Sequence, residues 1–169
     1  MGAALKGYRP VVEIGLADVM LVAMDQLVNT AAKMNYFYDG RASASIVIRA
    51  WSGFRRRGGP QQSQSNEAMF AHVPGLKVVM PSTPYDVKGL MRASIRDDNP
   101  VLFYESKGLY PTTGPVPDEE YVLPLGVAEV KKEGRDVTVI ALGAMVPRAL
   151  AVAEALGKEG VSVEVVDPR

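Results

Sequence analysis

The chain alternates short apolar segments with amphipathic ones, and this alternation constrains its fold more than any other feature. Residues 11–14, 45–49, 76–80 and 101–105 are short and rich in apolar or β-branched residues, which predicts strands. The stretches between them carry apolar residues at helical spacing. An order of strand, helix, strand, helix, strand favours a parallel sheet with right-handed crossovers. The sequence therefore predicts an α/β fold, a parallel sheet with flanking helices.

The first long helix is predicted to follow the first strand. Asp18 is placed to cap it by accepting hydrogen bonds from free backbone amides, and the helix extends to about residue 33. Its apolar positions share one stripe, formed by Leu21, Met24, Val28 and Ala32. We interpret this stripe as core or subunit interface in preference to a cofactor site. Another helix is predicted from about residue 63, ending before Pro74.

A second strong helix start lies in the sequence PSTPYD. Thr83 is a good N-cap, Pro84 occupies the first helical position, and Asp86 completes a spacing like that of a capping box. The pair Asn99-Pro100 is expected to end this helix before the next strand.

A segment rich in glycine and proline divides the chain into two predicted units. We predict a first domain over residues 1–110, a linker over 111–124 and a second α/β unit over 125–169. The second unit carries strand patterns at 128–132, 137–142 and 161–166. A helix before the last strand is expected to end at Gly160.

Composition excludes several classes of protein. The 19 basic and 19 acidic residues cancel, whereas a nucleic-acid binder usually has a basic excess. The cluster at residues 55–57 is interpreted as a solvated or ion-pairing patch rather than a phosphate site. The chain has no cysteine, which removes disulfides, zinc–thiolate sites and cysteine nucleophiles. With no signal-peptide or membrane-span pattern, we expect a soluble, cytoplasmic protein.

Few residues suggest chemistry by their spacing alone. His72 is a candidate general base, although a lone histidine near a helix end is more often a structural hydrogen-bonding residue. Asp97 and Asp98 follow a predicted helix, where exposed carbonyl groups could bind a hard cation, but an ordinary helix-terminal turn is the simpler interpretation. Motif and spacing thus indicate an α/β protein without specifying a function.

Several segments, in order, resemble one family. These are RPVVEI, AMDQLVNTAAKM, GGPQQSQSNEAMFAHVPGLKVVMPSTPYDVKGL, IRDDNPVLFYE and GRDVTVIALGAMV. They are similar to the β subunit of the decarboxylating component of 2-oxo acid dehydrogenase complexes, of the pyruvate, branched-chain and acetoin type. The resemblance implies part of a transketolase-like pyrimidine-binding domain, followed by part of a transketolase C-terminal-like α/β unit.

The resemblance also implies cofactors and partners. Family members use thiamine diphosphate and magnesium, with the diphosphate held by an α subunit and the acyl group passed to a lipoyl acyltransferase. The family glutamate that acts on the aminopyrimidine is expected upstream of Met1, so Glu13 is not assigned that role. The chain is thus expected to be incomplete at both ends and inactive alone.

Residue by residue, the resemblance assigns a site that departs from the family pattern. Gln62 occupies the position of the family's active-site histidine, and glutamine cannot exchange a proton near neutral pH. Val19 replaces an aromatic residue that packs on the aminopyrimidine, which removes ring stacking. Gly15 and Val22 match neighbouring cofactor-facing positions.

A potassium site is also implied by some relatives, in which backbone carbonyl groups hold the ion. The matching positions are Ile46, Ser94, Ile95, Asp97 and Asn99. Because backbone ligands tolerate side-chain changes, the sequence is compatible with this site, and an ordinary hydrogen-bonded turn remains an alternative.

Two functional hypotheses follow. The chain is part of an enzyme subunit for oxidative decarboxylation of a 2-oxo acid, or it is a non-catalytic α/β module derived from that family. In the second case, uncovered sheet edges and apolar surface favour homo-oligomerisation.

Overall fold

The computed structural model describes residues 1–53 and 58–169, so the predicted basic cluster at 55–57 lies outside the described residues. The first sheet contains β1 (Val11–Leu16), β2 (Val47–Ser52), β3 (Lys77–Val79) and β4 (Val101–Ser106). Its strand order is β1-β2-β4-β3, and every neighbouring pair is parallel. The predicted parallel sheet is therefore confirmed, with β1 and β3 at its edges.

The helices around this sheet are less regular than predicted. They comprise α1 (Gly2–Leu5), a 3-10 helix (Ala17–Ala23), a π-helix (Gln26–Ala31), α2 (Met34–Phe37), α3 (Glu67–Ala71), α4 (Pro84–Arg96) and a 3-10 turn (Lys107–Leu109). The predicted start of α4 is confirmed, since the Thr83 hydroxyl accepts a hydrogen bond from the Asp86 amide at 3.1 Å.

The prediction that Asp18 caps one continuous helix is wrong. The 3-10 helix begins after Leu16 without a side-chain cap, and Asp18 is buried, accepting hydrogen bonds from the distant Gln64. Gln64, 46 residues away, thus replaces the backbone amides of the helix as the hydrogen-bond donor to this carboxylate. The predicted apolar stripe is only partly buried, because Ala32 is inside whereas Leu21 is exposed.

The two faces of the first sheet hold separate clusters of buried side chains. Successive strand residues point to opposite faces, so neighbouring positions in β4 enter different clusters. Leu102 and Tyr104 pack with Met20 and Phe70 beneath the 3-10 helix and α3. Their neighbour Phe103 packs with the other cluster, beneath α4. The sheet is therefore covered on both sides, as a parallel sheet requires.

The second sheet is small and mixed. It contains β5 (Glu129–Lys132), β6 (Val137–Ile140) and β7 (Val163–Asp167) in the order β5-β7-β6, with α5 (Met145–Lys158) packed against it. β6 runs parallel to β7, and β5 runs antiparallel to it. In the described part of the chain, the helices are all too short or too polar to cross a bilayer.

The predicted linker is fixed to α4. Lys88 donates to the carbonyl groups of Asp118 and Glu119 at 3.3 and 3.1 Å. Tyr121 stacks on Tyr85 of the same helix, with ring centroids 4.5 Å apart. Leu123 packs on the cluster beneath α4. This segment is therefore a packed connection, and its role as a domain boundary stays a prediction.

A buried group of charges connects the two sheets. Asp86 is completely buried and lies 2.8 Å from Lys131 Nζ and 3.2 Å from Arg169 Nε. Glu129 pairs with both cations. Burial alone would raise the pKa of Asp86, but hydrogen bonds from Lys131 and Thr83 hold it below its ordinary value. The α4 N-terminus is thus joined by an ionic network to β5 and to Arg169, which lies two residues after β7.

Two polar residues extend the same network. Ser82 donates to Asp167 at 2.5 Å, and the Asp167 carboxylate also accepts from the Arg169 amide at 2.9 Å. The Met80 amide donates to the Arg169 carbonyl at 3.0 Å. These bonds hold the segment after β3 against the end of β7.

The ionic network predicts a specific acid sensitivity. Since the folded-state pKa of Asp86 is lowered, its stabilisation is present above the unfolded pKa of about 4 and is lost as pH falls through the folded value. Asp86→Asn should lower the free energy of unfolding by about 3 kcal/mol at pH 7, because it removes the negative charge that pairs with the largely buried Lys131 and Arg169. It should also flatten the dependence of stability on pH below 4, measured by urea unfolding. Asp25→Asn, at an exposed carboxylate, should change stability little at pH 7. Equal effects of the two substitutions would contradict the assignment.

A pair of glycines tests the packing of the loop before β3. Gly75 has φ +95°, and an added Cβ would lie 2.0 Å from the Ala32 carbonyl oxygen. Gly126 has φ +79° and open space around it. Both alanine substitutions incur the left-handed backbone cost, but only Gly75→Ala forces the backbone apart. We expect Gly75→Ala to destabilise the fold by about 1–3 kcal/mol more than Gly126→Ala, measured by urea denaturation. Indistinguishable midpoints would refute this packing.

Candidate functional site

The predicted cofactor-facing residues lie at the carboxyl end of β1. Gly15 has φ +79° at a shift in the β1–β2 register, and a Cβ added there would meet open space. Val19 and Val22, on the 3-10 helix that follows, are 45% and 88% exposed. Ligands of open α/β sheets bind outside the carboxyl ends of the strands. The three residues therefore offer an accessible apolar surface where such a ligand is expected.

The loop that carries Gln62 is tied to this 3-10 helix. The Gln64 backbone amide and side-chain amide donate to one Asp18 carboxylate oxygen at 3.2 and 2.8 Å. The Gln64 carbonyl accepts from the Gly53 amide, after β2, at 3.1 Å. Gln62 itself is exposed. The structure thus holds the loop of Gln62 beside the helix that bears Val19 and Val22.

Asn66 makes a second, buried attachment between the same elements. Its side-chain nitrogen donates to the Ala17 carbonyl at 2.9 Å, and its oxygen accepts from the Tyr104 hydroxyl at 3.0 Å. Sequence reasoning missed Asn66, Tyr104 and the role of Asp18. The one available signal was a polar Asn within the helix predicted from about residue 63, which in the structure begins at Glu67.

Tyr104 serves as a neutral donor in this arrangement. Burial raises its pKa well above the usual value, and the negative charge of Glu67 adds to the effect. One carboxylate oxygen of Glu67 is buried without a hydrogen-bond partner among the described residues. Buried polar atoms normally have partners, so this oxygen marks a place where water or a ligand group would be favourable.

A separate cavity of about 470 Å³ lies near the carboxyl ends of β3 and β4. Arg49 forms a two-pronged contact with Glu105, at 2.6 and 3.2 Å, and Tyr110 donates to the same carboxylate at 2.7 Å. The hydrogen bond that Arg49 donates to Glu105 raises the pKa of Arg49 against the opposing effect of burial. The Arg49 and Glu105 charges therefore satisfy each other, and the lining of the cavity does not include the predicted cofactor residues.

The predicted potassium positions surround the C-terminus of α4. The Ile46 carbonyl accepts from the Val101 amide at 2.9 Å, and the Ser94 carbonyl accepts from the Asp97 amide at 3.3 Å. The carbonyl groups of Ile95 and Asp97 accept from the Arg9 guanidinium. Asn99 donates its amide to the Asp97 carboxylate at 2.9 Å. The role of these positions as ion ligands stays a prediction.

Other predicted candidates are not brought to the site. His72 is exposed at the end of α3, and its role as a base or a structural residue stays a prediction. Within residues 1–53 and 58–169, His, Cys, Asp and Glu side chains form no group of three that could hold a metal ion.

Two protein-family models match this chain. The model of the transketolase pyrimidine-binding domain matches residues 1–113, and that of the transketolase C-terminal domain matches residues 126–169. The first match covers more than half of the chain. This chain therefore belongs to the transketolase pyrimidine-binding-domain family.

The curated relatives compared in sequence with this chain are β subunits of oxidoreductases. The chain is 50% identical to the 2-oxoisovalerate dehydrogenase β subunit of Bacillus subtilis and 47% identical to the acetoin:2,6-dichlorophenolindophenol oxidoreductase β subunit of Cupriavidus necator. It is 42% identical to the pyruvate dehydrogenase E1 β subunit of Rhizobium meliloti. Each match covers all of this chain, but 52%, 50% and 37% of the relative. The chain thus spans about half the length of the first two, and the family resemblance seen in its sequence is confirmed.

A solved structure supports the fold alone. The match is a chain described as "Split gene transketolase, inactive beta4 tetramer", with a TM-score of 0.77 and 22% sequence identity. The alignment covers 98% of this chain and 51% of the other.

The Asp18–Gln64 contact predicts how the loop of Gln62 is held. Asp18→Ala should leave both Gln64 donors unpaired, and a bond to a charged group contributes about 1.5–3 kcal/mol. We expect hydrogen exchange at the Gln64 amide to accelerate roughly 10- to 100-fold, with the far-ultraviolet circular dichroism unchanged. Asp25→Ala, which removes a carboxylate bonded only locally to Gln26 and Asn29 in the described contacts, is the control. Unchanged protection at Gln64 in Asp18→Ala would rule out this anchoring role.

Proposed function

We propose that this chain supplies the pyrimidine-facing part of the β subunit of a thiamine-diphosphate-dependent 2-oxo acid dehydrogenase. The observation that carries the proposal is the 42–50% identity, over the whole chain, to the β subunits of a 2-oxoisovalerate dehydrogenase, a pyruvate dehydrogenase and an acetoin oxidoreductase. The transketolase-like family depends on thiamine diphosphate. In this role the chain acts in oxidative decarboxylation of a 2-oxo acid, with an α subunit as its partner and a lipoyl acyltransferase as the next acceptor.

The exposed surface at the end of β1 is compatible with the cofactor's aminopyrimidine. Val19 and Val22 would give apolar contact, and Gly15 leaves space for close approach. Valine gives no ring stacking, so the contact is weaker than an aromatic residue would provide. When bound, thiamine diphosphate supplies the nucleophile that attacks the 2-oxo carbon. Its diphosphate and magnesium would be held by the α subunit.

With Gln62 at the position of the family's histidine, the chain lacks a group there that can accept and return a proton. The Gln62 side-chain amide can donate to or accept from a substrate, but it does not exchange a proton near neutral pH. Asp18 is committed to Gln64, and Tyr104 is held neutral by burial. We therefore propose that the chain orients cofactor and substrate and is inactive without a partner subunit.

Exposed apolar residues favour a second candidate, a non-catalytic module that self-associates. Tyr36, Phe37 and Tyr38 are consecutive in the sequence and are 84%, 69% and 56% exposed. Large exposed apolar side chains that cluster are typical of interaction surfaces. Both candidates predict association, but only the first predicts catalysis after an α subunit is added.

Restoring a histidine tests the role of position 62. The chain is mixed with an α subunit from a similar complex, thiamine diphosphate, magnesium, a panel of 2-oxo acids and 2,6-dichlorophenolindophenol as electron acceptor. Gln62→His should raise dye reduction about 100-fold and introduce a rate dependence on pH near 6.5, since imidazole exchanges protons there. Gln61→His, one residue earlier in the same loop, should not.

Two outcomes separate the candidates. Turnover of a 2-oxo acid by the unmodified chain alone, with thiamine diphosphate and magnesium, would overturn the proposed dependence on a partner. Self-association without dye reduction by either histidine variant, in the presence of an α subunit that it binds, would favour the non-catalytic module.

A further inference from the structure

The cavity of about 470 Å³ at the carboxyl ends of β3 and β4 lies where an open parallel sheet offers a crevice to ligands. The chain leaves β2 for α3 on one face of the sheet, and it leaves β3 for α4 on the opposite face. Connections that depart to opposite faces open a crevice outside the strand ends, and ligands of such sheets bind there. The volume of this cavity is also within the usual range of small-molecule pockets.

The walls of the cavity are apolar and come from elements that are held in place. The first turns of α4 contribute Pro84 and Val87, and the segment after β4 contributes Leu109. This segment is tied to the sheet by Tyr110, whose hydroxyl donates to Glu105 at 2.7 Å. Apolar walls around a few polar groups are typical of pockets for small organic molecules. An aliphatic group is therefore suited to these walls.

The unused hydrogen-bonding capacity among the charged residues of the cavity belongs to a donor. Glu105 already accepts from Nε and Nη2 of Arg49 and from the Tyr110 hydroxyl. A guanidinium has five N–H groups. Apart from Glu105, the described contacts of Arg49 include only a long one, 3.5 Å from Nη1 to the Glu13 carboxylate. Arg49 therefore keeps N–H groups for a second acceptor, and its side chain is 36% exposed, so a ligand can reach it.

The charges that line the cavity also favour an anion. Arg49 is balanced by Glu105, with Nε and Oε1 2.6 Å apart. Lys88, the other cationic lining residue, donates to the carbonyl groups of residues 117–119 and pairs with no carboxylate in the described part of the chain. Two cations and one carboxylate thus leave one positive charge unbalanced at the cavity.

We propose that this cavity binds a small aliphatic carboxylate, with the carboxylate on the unused N–H groups of Arg49 and the aliphatic group against Pro84, Val87 and Leu109. Lys88 adds its long-range attraction to the anion. The site is distinct from the predicted cofactor surface, because none of the residues of that surface lines the cavity. Binding here requires neither thiamine diphosphate nor a partner subunit, so it is independent of the proposed function.

Titration of the chain with isovalerate, followed by backbone amide shifts in nitrogen-15 NMR spectra, tests this site. Saturable shifts should concentrate on lining residues such as Ser106, Leu109 and Thr112, with a millimolar dissociation constant because the ligand has few atoms. Isovaleramide has the same shape without the charge, and isoamylamine carries the opposite charge. Both should bind at least about 10-fold more weakly, since they lose the charged acceptor. Equal affinity for the acid and the amide, or shifts that spread beyond the lining, would overturn the proposal.

A matched pair of substitutions tests the position of the bound charge. Val87, in α4, is 42% exposed and lines the cavity, whereas Val152, in α5, is 56% exposed and does not. Val87→Glu places a negative charge at the cavity and should weaken isovalerate binding about 10-fold through repulsion. Val152→Glu should leave the affinity unchanged. Equal affinities of these two variants for isovalerate would also overturn the proposal.

A double substitution tests the role of the guanidinium. Arg49→Gln combined with Glu105→Gln replaces the ion pair by two uncharged side chains that can still form hydrogen bonds. The double variant should bind isovalerate no better than isovaleramide. A preference for the acid that survives in it would refute the role of Arg49. If the double variant does not fold, the comparison of Val87→Glu with Val152→Glu decides alone.

Discussion

The buried carboxylate of Asp86 is the interaction on which the arrangement of the two sheets depends. It lies at the first turn of α4, where a negative charge complements the helix dipole, and it also meets two cations of the second unit. Its Oδ1 atom and the Arg169 Nε atom are 3.2 Å apart but lack hydrogen-bond geometry, so that contact is electrostatic. A buried charge without its partner is far more costly than an exposed one. The network therefore fixes the position of the second sheet relative to α4. Apolar contact alone would not determine that position.

The candidate site has a different physical character, because its attachments are polar and its functional surface is open. Asp18 and Asn66 hold the loop of Gln62 to the 3-10 helix, and both are buried. The residues that would face a ligand, Val19 and Val22, remain exposed. A surface that is held by buried hydrogen bonds and exposes apolar side chains is suited to a site completed by another molecule. This character is consistent with a site shared between subunits, and it does not require the chain to carry the acid–base groups itself.

The sequence predicted the fold well where local physics decides it. Strand positions followed from apolar runs, and the start of α4 followed from Thr83, Pro84 and Asp86. The capping hydrogen bond from the Asp86 amide to the Thr83 hydroxyl lies within one turn. The sequence failed where distant partners decide. Asp18 has the residue type and position of a helix cap, but Gln64 competes successfully for its carboxylate. The antiparallel pairing of β5 and the attachment of the predicted linker to α4 also depend on contacts far apart in the chain.

The two ends of α4 show how one helix organises both units. Its N-terminus holds the second sheet through Asp86, and its C-terminus holds the segment before β1 through Arg9. In each case the charge has the sign that the helix dipole favours, a carboxylate at the first turn and a guanidinium after the last. The strand that α4 fixes through Arg9 is β1, which contains Gly15 near its end and leads to the exposed valines. A disturbance at the C-terminus of α4 would therefore reach the candidate site through β1, without passing through the second unit.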